Sequence, residues 1–552
     1  MKDITRREFL KNTAIAGAGV VVTGGLGNAP ASGMAKRAAG GPAGKKRSNI
    51  VLIITDQQRQ AQHWPDGWLE AHMPTMARLQ KHGVTFTNNY TAATACCPSR
   101  ATLLTGVYPS VHGVENTPPN PPLQSDITNI FKLAEQAGYE VAYKGKMHLF
   151  TPKSNPSTDS FTSYDIKWAS DHYRFNRWNP PDCALAPGGS VYIAGGWPNN
   201  DGRFVSGVPD TFNRMTPAVE EGETIMEYLD KYNPKTDKPF LLVCSFGNPH
   251  DISVWPDQDK WGYDKADYAK LKEIGLPDNY NDDLKEKPVG QKEFQKLTDK
   301  TDPCPSTQDR IDYCRFYAHL HTVVDRHIAA VLDKLDEKKL TDDTVIFRFA
   351  DHGEQSWSHQ MIQKGLNSYQ ETINVPLIIS NPKLFPKGTT TSSFASLIDL
   401  VPTIAEITGA ASPADLKRMG ICGKSLVPIM QDPNVSVRDN IMFYSEDFQY
   451  FFNEYLGKKN TFETMPGKIR SLRLEDWMYA VYFTDKGTQL QYEMYNLTDD
   501  RGEMTNLAWG SRQKANLKQM QELHDRLTAE LKTYQALPKE FQWPAKAGTG
   551  SV

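Results

Sequence analysis

The sequence predicts an α/β fold, in which a large mixed, mostly parallel sheet is sandwiched by helices and a smaller C-terminal α+β subdomain follows. Two observations support this prediction. Over residues 48–435, short apolar runs typical of buried strands alternate with segments of helical periodicity, as in sheets whose parallel strands are joined by helices. Within residues 436–540, apolar and polar residues alternate over 471–483 and 489–495 as in antiparallel strands, before a final helical segment.

Size and composition restrict the class of protein. The 552 residues, 39% of them hydrophobic, suffice for one large α/β enzyme with insertions or for three or four domains. A mean hydropathy of −0.54 indicates a water-soluble protein, and a net charge of −3 gives no electrostatic reason to expect nucleic acid as a partner. The seven cysteines are too scattered for a disulfide framework, although a Cys304–Cys314 bond stays open because spacing does not fix the Cα separation.

The first element is an expected export signal over residues 1–35. Arg6 and Arg7 stand in the string TRREFLK, ahead of a Gly/Ala-rich apolar run and small-residue cleavage sites. That run is too short and too rich in glycine for a stable membrane span. The segment resembles a twin-arginine signal peptide, which implies the twin-arginine export machinery as a partner and a periplasmic or extracellular location. A basic amphipathic helix is the alternative, and residues 36–47 predict a flexible linker.

The core strands of the predicted sheet end in polar residues. Predicted strands occupy 49–55, 141–143, 240–246, 344–349 and 375–380, and a long helix is predicted over 311–335. The polar residues beyond four of these strands are Asp56 and Gln57, Lys146 and His148, His250, and Asp351 and His352. Sites in such sheets form beyond the carboxyl ends of the strands, so we expect these side chains to lie together.

The residue types at this edge predict chemistry on an anion. A single aspartate after a strand is more often a helix cap, and a single histidine more often a structural residue. Four strand ends with such residues favour a site. Asp56 and Asp351, with Gln57 and His352 beside them, form an oxygen-rich set for a hard cation. With the positive charge of Lys146, this set suits transfer of a sulfuryl or phosphoryl group, whose charge spreads over peripheral oxygens.

Residues 96–106 read CCPSRATLLTG and match every specified position of the motif C-x-P-S-R-x-x-x-L/M-T-G. In this respect the chain resembles the type I formylglycine-dependent sulfatases of the alkaline phosphatase superfamily. Weaker similarities follow in the expected order along most of the chain, at 145–149, 248–250, 350–354, 363–378, 396–409 and 495–508. The resemblance implies an alkaline phosphatase-like fold and a sulfuric ester hydrolase.

The resemblance also implies the nucleophile. In this family a maturation enzyme oxidises the first cysteine of the motif to formylglycine (3-oxoalanine), and here that residue is Cys96. Cys97 occupies an unspecified position and is expected to be a small packing residue. One hydroxyl of the hydrated aldehyde attacks sulfur, and loss of a proton from the other re-forms the aldehyde and releases sulfate. A thiolate attacking sulfur has no comparable exit. Pro98 and Ser99 are expected near the start of a helix, whose N-terminal amides favour the anion.

The remaining roles follow by resemblance. One divalent metal is expected on Asp56, Gln57, Asp351, His352 and the modified Cys96. Arg100 is expected to stabilise the diol oxygens, and Lys146 and His148 to contact the diol and the sulfate. His250 and Lys364 are expected near the leaving oxygen, one of them as general acid. Ca²⁺ is the first choice, while the neutral Gln57 and the nitrogen ligand His352 leave Mn²⁺, Mg²⁺ and Zn²⁺ open.

Three functions remain as hypotheses. The first is an exported sulfatase acting on an aryl or carbohydrate sulfate, or another sulfated small molecule. The second is a phosphonate or phosphate ester hydrolase, because the Asp-Gln and Asp-His pairs also resemble choline sulfatases and phosphonate monoester hydrolases. The third is an inactive glycan-binding protein, against which the intact motif around Cys96 argues. Choosing between the first two requires a comparison of substrates.

The other segments complete the prediction. Residues 161–197, rich in aromatic residues, and the charged residues 257–302 are interpreted as insertions that either shape the pocket or pack on the surface. The C-terminal subdomain is expected to contain antiparallel strands over 471–483 and 489–495 and a helix over 513–531.

Overall fold

The computed structural model describes residues 47–60, 62–117, 121–150, 163–179, 201–207, 222–449, 452, 457 and 461–548. The expected signal peptide and the expected linker up to residue 46 lie outside these ranges, as does the part of the aromatic segment beyond residue 179. Within the described ranges, every helix is too short or too polar to cross a membrane. The proposed domain boundaries remain predictions.

The central feature is an eight-stranded mixed sheet. The strands of the chain are β1 Asn49–Thr55, β2 Gly83–Phe86, β3 Asn89–Tyr90, β4 Ala93–Thr94, β5 Glu140–Gly145, β6 Asn176–Asn179, β7 Phe240–Ser245, β8 Thr344–Ala350, β9 Leu377–Ser380, β10 Thr389–Thr391, β11 Ala395–Ser396, β12 Ile441–Ser445, β13 Lys468–Arg473, β14 Trp477–Phe483 and β15 Leu490–Asn496. The large sheet has the order β10-β2-β9-β8-β1-β7-β5-β6. The expectation of a large, mostly parallel sheet is confirmed.

Strand β1 lies at the centre of this sheet because it is apolar on both faces. It pairs in parallel with β7 and β8, and all seven of its residues are buried. Ile50, Leu52 and Ile54 belong to one core cluster, whereas Val51 and Ile53 belong to a second. Because successive side chains of a strand point to opposite faces, the sheet has a hydrophobic layer on each side.

Strand β9 runs antiparallel to β8, so β9 begins at the same edge of the sheet at which β8 ends. Residues 351–376, between the two strands, therefore lie near the carboxyl end of β8. Asp351, His352 and Lys364 all belong to this connection. The topology brings them to the edge where β1 delivers Asp56.

Helices cover both faces. They are α1 Trp68–His72, α2 Pro74–Gln80, α3 Cys96–Thr105, α4 Pro109–His112, α5 Ile130–Gln136, α6 Ser163–Tyr173, α7 Asp201–Ser206, α8 Ile225–Lys231, α9 Lys265–Ala269, α10 Val289–Thr301, α11 Thr307–Glu337, α12 Gln370–Ile373, α13 Leu400–Thr408, α14 Pro413–Arg418, α15 Val427–Gln431, α16 Gly510–Ala515 and α17 Leu517–Thr533. The helix predicted over 311–335 is α11, which begins at a capping box formed by Ser306 and Asp309.

Short 3₁₀ helices connect several of these elements. They span His250–Val254, Gln258–Trp261, Asp278–Asn281, Thr341–Asp343, Ser358–Gln360, Leu397–Asp399 and Thr461–Glu463.

The C-terminal sheet differs in detail from the prediction. Its order is β15-β14-β13-β12-β4, so β4 of the N-terminal part forms its edge. The run predicted over 471–483 is two antiparallel strands, β13 and β14, separated by residues 474–476. The predicted helix over 513–531 is divided between α16 and α17 by Asn516, whose φ of −111° and ψ of 12° are not helical.

Two open questions from the sequence have answers in the packing. Cys304 and Cys314 are both free thiols, so no bond joins them. In the described part of the aromatic segment, Tyr173 and Trp178 are buried in the core, and the Trp178 indole donates to the Gly145 carbonyl at 3.0 Å. For these two side chains the packing interpretation is correct.

Candidate active site

Helix α3 places Cys96 at the carboxyl edge of the sheet. The helix begins at Cys96 itself and ends at Gly106, whose φ of 71° suits the left-handed cap that glycine adopts readily. All ten helical residues are buried. The Ser99 hydroxyl donates to the Asp351 backbone carbonyl at 2.6 Å, which ties the first turn of α3 to the end of β8. The amides of this turn add partial positive charge beside Cys96.

Four ligand-type groups meet beside this helix. One atom each from Asp56, Cys96, Asp351 and His352 lies within 4.8 Å of the others, and all four residues are buried. Cys96 Sγ lies 3.0 Å from His352 Nε2 and 3.8 Å from Asp56 Oδ1. His352 Nε2 lies 3.7 Å from Asp56 Oδ1 and 3.8 Å from Asp351 Oδ1. Residues more than 290 positions apart in sequence thus form one cluster.

Arg100 and Lys146 neutralise the two carboxylates of this cluster. The Arg100 guanidinium donates from Nη2 to Asp56 Oδ2 and from Nε to Asp351 Oδ2, both at 2.9 Å. Lys146 forms an ion pair with Asp56 and lies 4.0 Å from Cys96 Sγ. Burial alone raises the pKa of Asp56, but the charges of Lys146 and Arg100 hold that pKa well below its ordinary value. Asp56 is therefore ionised.

Gln57 connects this cluster to Lys364 and His250. The Gln57 backbone N–H donates to Asp351 Oδ1 at 3.1 Å, and its side-chain oxygen accepts from Lys364 Nζ at 2.6 Å. Lys364 Nζ lies 3.3 Å from His250 Nε2. Burial and the charge of Lys146 lower the pKa of His250 well below its ordinary value, so the imidazole is neutral at pH 7.

The thiol of Cys96 is not ionised. Burial and the neighbouring Asp56 carboxylate raise its pKa to about 12, so little thiolate exists at neutral pH. His148 lines the same cavity as Cys96, and burial together with Lys146 and Arg100 lowers the pKa of His148 well below its usual range. The structure therefore brings every site residue predicted from the sequence to one place.

Several residues of the site were not predicted. Ser245 at the end of β7 accepts from Arg100 at 2.9 Å, and Asp447 accepts from the Ala95 amide at 3.1 Å. Glu354 contacts the Gln57 amide nitrogen and accepts from the Tyr313 hydroxyl at 3.1 Å. Ser245 could have been found from its position at a strand end. Asp447 and Tyr313 carry no local signal, because only tertiary folding brings them to the site.

A cavity of about 30 Å³ lies over Cys96. His148, Gln363 and Lys364 line it together with Cys96. Helix α10, from the charged insertion, contributes Phe294 and Leu297 among others, and Asp302 follows at its end. The segment 257–302 therefore shapes the pocket. Of its two interpretations, pocket shaping and surface packing, the first is correct for these residues of α10.

The donor set fits a divalent cation. The two carboxylates supply oxygen ligands, and His352 Nδ1 lies 3.0 Å from the Gly353 carbonyl. A proton shared in that contact leaves the lone pair of Nε2 directed at the cluster, as metal-binding histidines require. Burial lowers the pKa of His352, which keeps the ring neutral. Asp56, Asp351 and His352 could thus hold a metal, with residue 96 beside them, while the side-chain oxygen of Gln57 accepts from Lys364.

Comparison with known proteins gives the family. The sulfatase family profile matches residues 48–410, well over half of the chain. The chain belongs to the sulfatase family. It is accordingly a sulfuric ester hydrolase, and the fold and enzyme class inferred from the sequence are confirmed. A second profile, described as the C-terminal part of N-sulphoglucosamine sulphohydrolase, matches residues 358–534 of this sulfatase.

Individual relatives are distant. The choline-sulfatase of Rhizobium meliloti (strain 1021) is 24% identical over 507 residues, which cover 90% of each chain. The solved structure of BT4656 in complex with its substrate D-glucosamine-2-N,6-O-disulfate has a TM-score of 0.65, with 20% identity and coverage of 89% of this sulfatase and 98% of BT4656. The phosphonate monoester hydrolase SpPMH from Silicibacter pomeroyi has a TM-score of 0.63, with 20% identity and coverage of 90% and 96%. At these identities the structures establish the fold alone.

Proposed function

We propose that this sulfatase hydrolyses the sulfate ester of a carbohydrate or another small alcohol by means of a formylglycine hydrate formed from Cys96. The observation that carries the proposal is the buried cluster of Asp56, Cys96, Asp351 and His352, whose ligand atoms lie within 4.8 Å of one another. The formylglycine mechanism requires residue 96 of the CCPSR motif beside metal-binding groups, and Cys96 belongs to this cluster. The neutral thiol also argues that the unmodified cysteine is not the nucleophile.

The modification and the metal supply the chemistry that the side chains lack. In the hydrate, one hydroxyl forms the new S–O bond as the bond to the alcohol breaks, and the second loses its proton so that the aldehyde re-forms and sulfate departs. A divalent cation, with Ca²⁺ as first choice, supplies positive charge for the oxygens of the sulfuryl group. Asp56, Gln57, Asp351 and His352 are the residues that would hold it, and Arg100 orients both carboxylates.

The residues around the cavity handle charge and protons. Lys146, within 4.0 Å of Cys96 Sγ, is placed to stabilise negative charge on an oxygen at position 96. His148 lines the cavity and is neutral, so it acts as a hydrogen-bonding group. Lys364 Nζ and His250 Nε2 lie 3.3 Å apart, and one of these two side chains acts as the general acid for the departing alcohol.

Two relatives support the proposed substrate class. BT4656 binds a sulfated glucosamine, and the curated relative from Rhizobium acts on choline sulfate by its name. We propose a small sulfated alcohol or sugar for this chain, modified by a formylglycine-generating enzyme before export through the twin-arginine pathway to the periplasm or beyond. Replacing Arg6 and Arg7 by lysine should retain the active enzyme in the cytoplasm, whereas unchanged export would contradict the proposed route.

A phosphorus ester remains the second candidate, because SpPMH shares the fold. The test compares kcat/KM for 4-nitrophenyl sulfate and for the matched phenyl phosphonate ester, using enzyme matured by a formylglycine-generating enzyme. Faster cleavage of the sulfate is expected. Faster cleavage of the phosphonate would replace the proposed substrate class with the second candidate.

The role of residue 96 has a control in its neighbour. Cys96→Ala should lower kcat/KM for the aryl sulfate by about 10³-fold or more, because removal of a nucleophile leaves only binding and electrostatic catalysis. Cys97→Ala removes an equally buried thiol of the same helix and should leave kcat/KM within a few-fold of the wild-type value. Equal activity of the Cys96→Ala and wild-type enzymes would contradict the mechanism.

A further inference from the structure

Helix α10 ends in a buried carboxylate that the proposed reaction does not use. Asp302 directly follows the helix and lines the cavity together with Cys96 and Lys364. It is 4% exposed, and its carboxylate accepts a hydrogen bond from the hydroxyl of Thr301. Among the residues described, no lysine, arginine or histidine lies within ion-pair distance of it.

The buried position of Asp302 disfavours the charged form of its carboxyl group. Burial raises the pKa of Asp302 to about 7 even though the hydrogen bond from Thr301 and the charge of Lys364 lower it, so the folded chain stabilises the charged form poorly. The carbonyl end of the 13-residue helix α10 adds further negative potential at the same point. An asparagine could keep the backbone contact from the Asp302 N–H to the Thr298 carbonyl without these penalties.

The sulfate group cannot be what Asp302 binds. A sulfate ester is an anion, and its place beside Cys96 is already supplied with Arg100, Lys146 and Lys364. The part of the substrate left to meet the α10 wall is the alcohol. Phe294 and Leu297 of that wall offer apolar contact to its carbon atoms, and Asp302 is the acidic group among the described residues that line the cavity.

We propose that Asp302 is a specificity-determining residue that accepts a hydrogen bond from a donor group, a hydroxyl or an ammonium, on the alcohol of the substrate. This inference rests on the proposed function and narrows its substrate class. A carboxylate bound to such a donor forms a charge-assisted hydrogen bond, and an ammonium also neutralises the buried charge. Esters without a donor on the alcohol add no hydrogen bond to the one that the carboxylate accepts from Thr301, and they are expected to be poorer substrates.

The test uses three alkyl sulfates of similar size: propyl sulfate, 2-hydroxyethyl sulfate and 2-aminoethyl sulfate. Sulfate release gives kcat/KM for the matured wild-type enzyme and for Asp302→Asn, which keeps the size of the side chain and removes its charge. For at least one donor-bearing ester, Asp302→Asn should lower kcat/KM by about 10-fold or more, the usual worth of a hydrogen bond to a charged group. For propyl sulfate the change should stay within about two-fold, because no such bond is lost.

The outcomes separate the two proposals. A loss confined to the ammonium ester identifies a cation as the ligand of Asp302, and a loss for both donor-bearing esters identifies hydrogen bonding as the shared chemistry. An equal change for all three esters overturns the assignment, even if the enzyme remains an active sulfatase. If the wild-type enzyme cleaves neither these esters nor an aryl sulfate, the proposed function itself fails.

Two further variants guard against a structural explanation. Asp302→Glu retains the charge and should retain the preference for donor-bearing esters, whereas a change in helix packing alone would not be rescued by it. Asp299→Asn removes a carboxylate from the exposed side of the same helix and should leave all three kcat/KM values unchanged. If Asp302→Asn fails to fold, Asp302→Ser provides the same comparison, and the same equal change across the three esters overturns the inference.

Discussion

Two buried carboxylates, Asp56 and Asp351, share a single guanidinium at the bottom of the site, and this arrangement sets the charge of the whole centre. Arg100 contacts both, and Lys146 pairs with Asp56, so two positive groups balance two negative ones without any metal. A divalent cation would then leave the centre positive by two charges. Such a centre attracts a sulfate ester and stabilises the charge that develops on its oxygens.

Replacement of His352, a proposed metal ligand, should weaken the binding of a divalent cation. His352→Ala is expected to lower the affinity for Ca²⁺ by about 10-fold to 100-fold or more, because it removes one donor of a small ligand set. The measurement is recovery of aryl sulfate turnover as Ca²⁺ is titrated into enzyme stripped with a chelator. His321→Gln replaces another fully buried histidine, on α11, and should titrate as the wild type does. Equal Ca²⁺ dependence of His352→Ala and wild type would exclude His352 as a ligand.

A second buried histidine predicts a pH effect on stability. His112, at the end of α4, lies 3.0 Å from the Thr102 hydroxyl, and burial lowers its pKa to about 3. As the pH falls through about 6.5, His112 becomes protonated in the unfolded chain but stays neutral in the folded chain. The contribution of the neutral, buried His112 to the free energy of unfolding is therefore present above pH 6.5 and is lost as the pH falls. Between pH 7 and pH 5 the loss amounts to about 2 kcal/mol.

The variant His112→Gln isolates that contribution. The difference in free energy of unfolding between wild type and variant, measured with urea, should shrink by about 2 kcal/mol between pH 7 and pH 5. Comparison of the two proteins cancels the opposing effect of buried carboxyl groups such as Asp447, whose burial raises their pKa. A difference that stays constant with pH would show that His112 titrates normally in the folded chain.

At the scale of elements, the site depends on the contact between α10 and the loop that carries Lys364. A Cβ atom added to Gly365 would come within 2.4 Å of the Phe294 ring on α10. The helix is held from its other side, because Gln291 donates to both oxygens of Glu493 on β15 at 3.1 Å. The loop and the helix therefore approach closely because residue 365 has no side chain, and neither can shift freely.

Gly365→Ala is expected to disturb the pocket without removing any catalytic group. Overpacking of this kind costs about 1–3 kcal/mol, and displacement of Phe294 or Lys364 should lower kcat/KM by about 10-fold. The control is Gly275→Ala, where the added Cβ meets no atom within 4 Å. Steady-state kinetics with an aryl sulfate and a thermal melt of each variant provide the measurements. Wild-type kinetics for Gly365→Ala would show that the loop accommodates the added methyl group without displacing Phe294 or Lys364.

Some residues of the site can be predicted from the sequence, and others cannot. Asp56 and Asp351 could be predicted because each directly follows an apolar strand, His250 because it lies five residues beyond the end of β7, and Cys96 because its motif is specific. Asp302 and Asp447 reach the site through tertiary packing alone, with no periodicity or motif around them. The division of 471–483 into β13 and β14 was missed for a local reason: the connecting Leu474, Glu475 and Asp476 include none of the glycines or prolines that usually mark a turn.

At the scale of the whole molecule, the two sheets are joined too closely to be independent units. Strand β4, which ends two residues before Cys96, pairs with β12 of the C-terminal sheet. Asp447, just beyond β12, accepts from the amides of Ala95 and Thr117 at 3.1 and 3.0 Å. Core clusters also cross the boundary, since Tyr90 and Tyr369 pack with Ile469. Cys96, the proposed site of the nucleophile, therefore directly follows a segment that is hydrogen-bonded to the C-terminal sheet.

Unfolding of the full chain should consequently occur in one cooperative transition, and a buried ion pair across the boundary provides the probe. Arg438 Nε donates to Asp399 Oδ2 at 3.1 Å, and both side chains are almost fully buried. Arg438→Met leaves the Asp399 charge without its partner and should destabilise the whole protein by about 3–5 kcal/mol. Arg526→Met breaks a solvent-exposed pair with Asp439 and should cost about 1 kcal/mol or less. Calorimetry should show a single peak that moves to lower temperature in Arg438→Met, with loss of activity and of C-terminal structure at the same temperature. Two peaks, of which only the one without enzymatic activity moves, would instead show that the C-terminal sheet folds as a unit of its own.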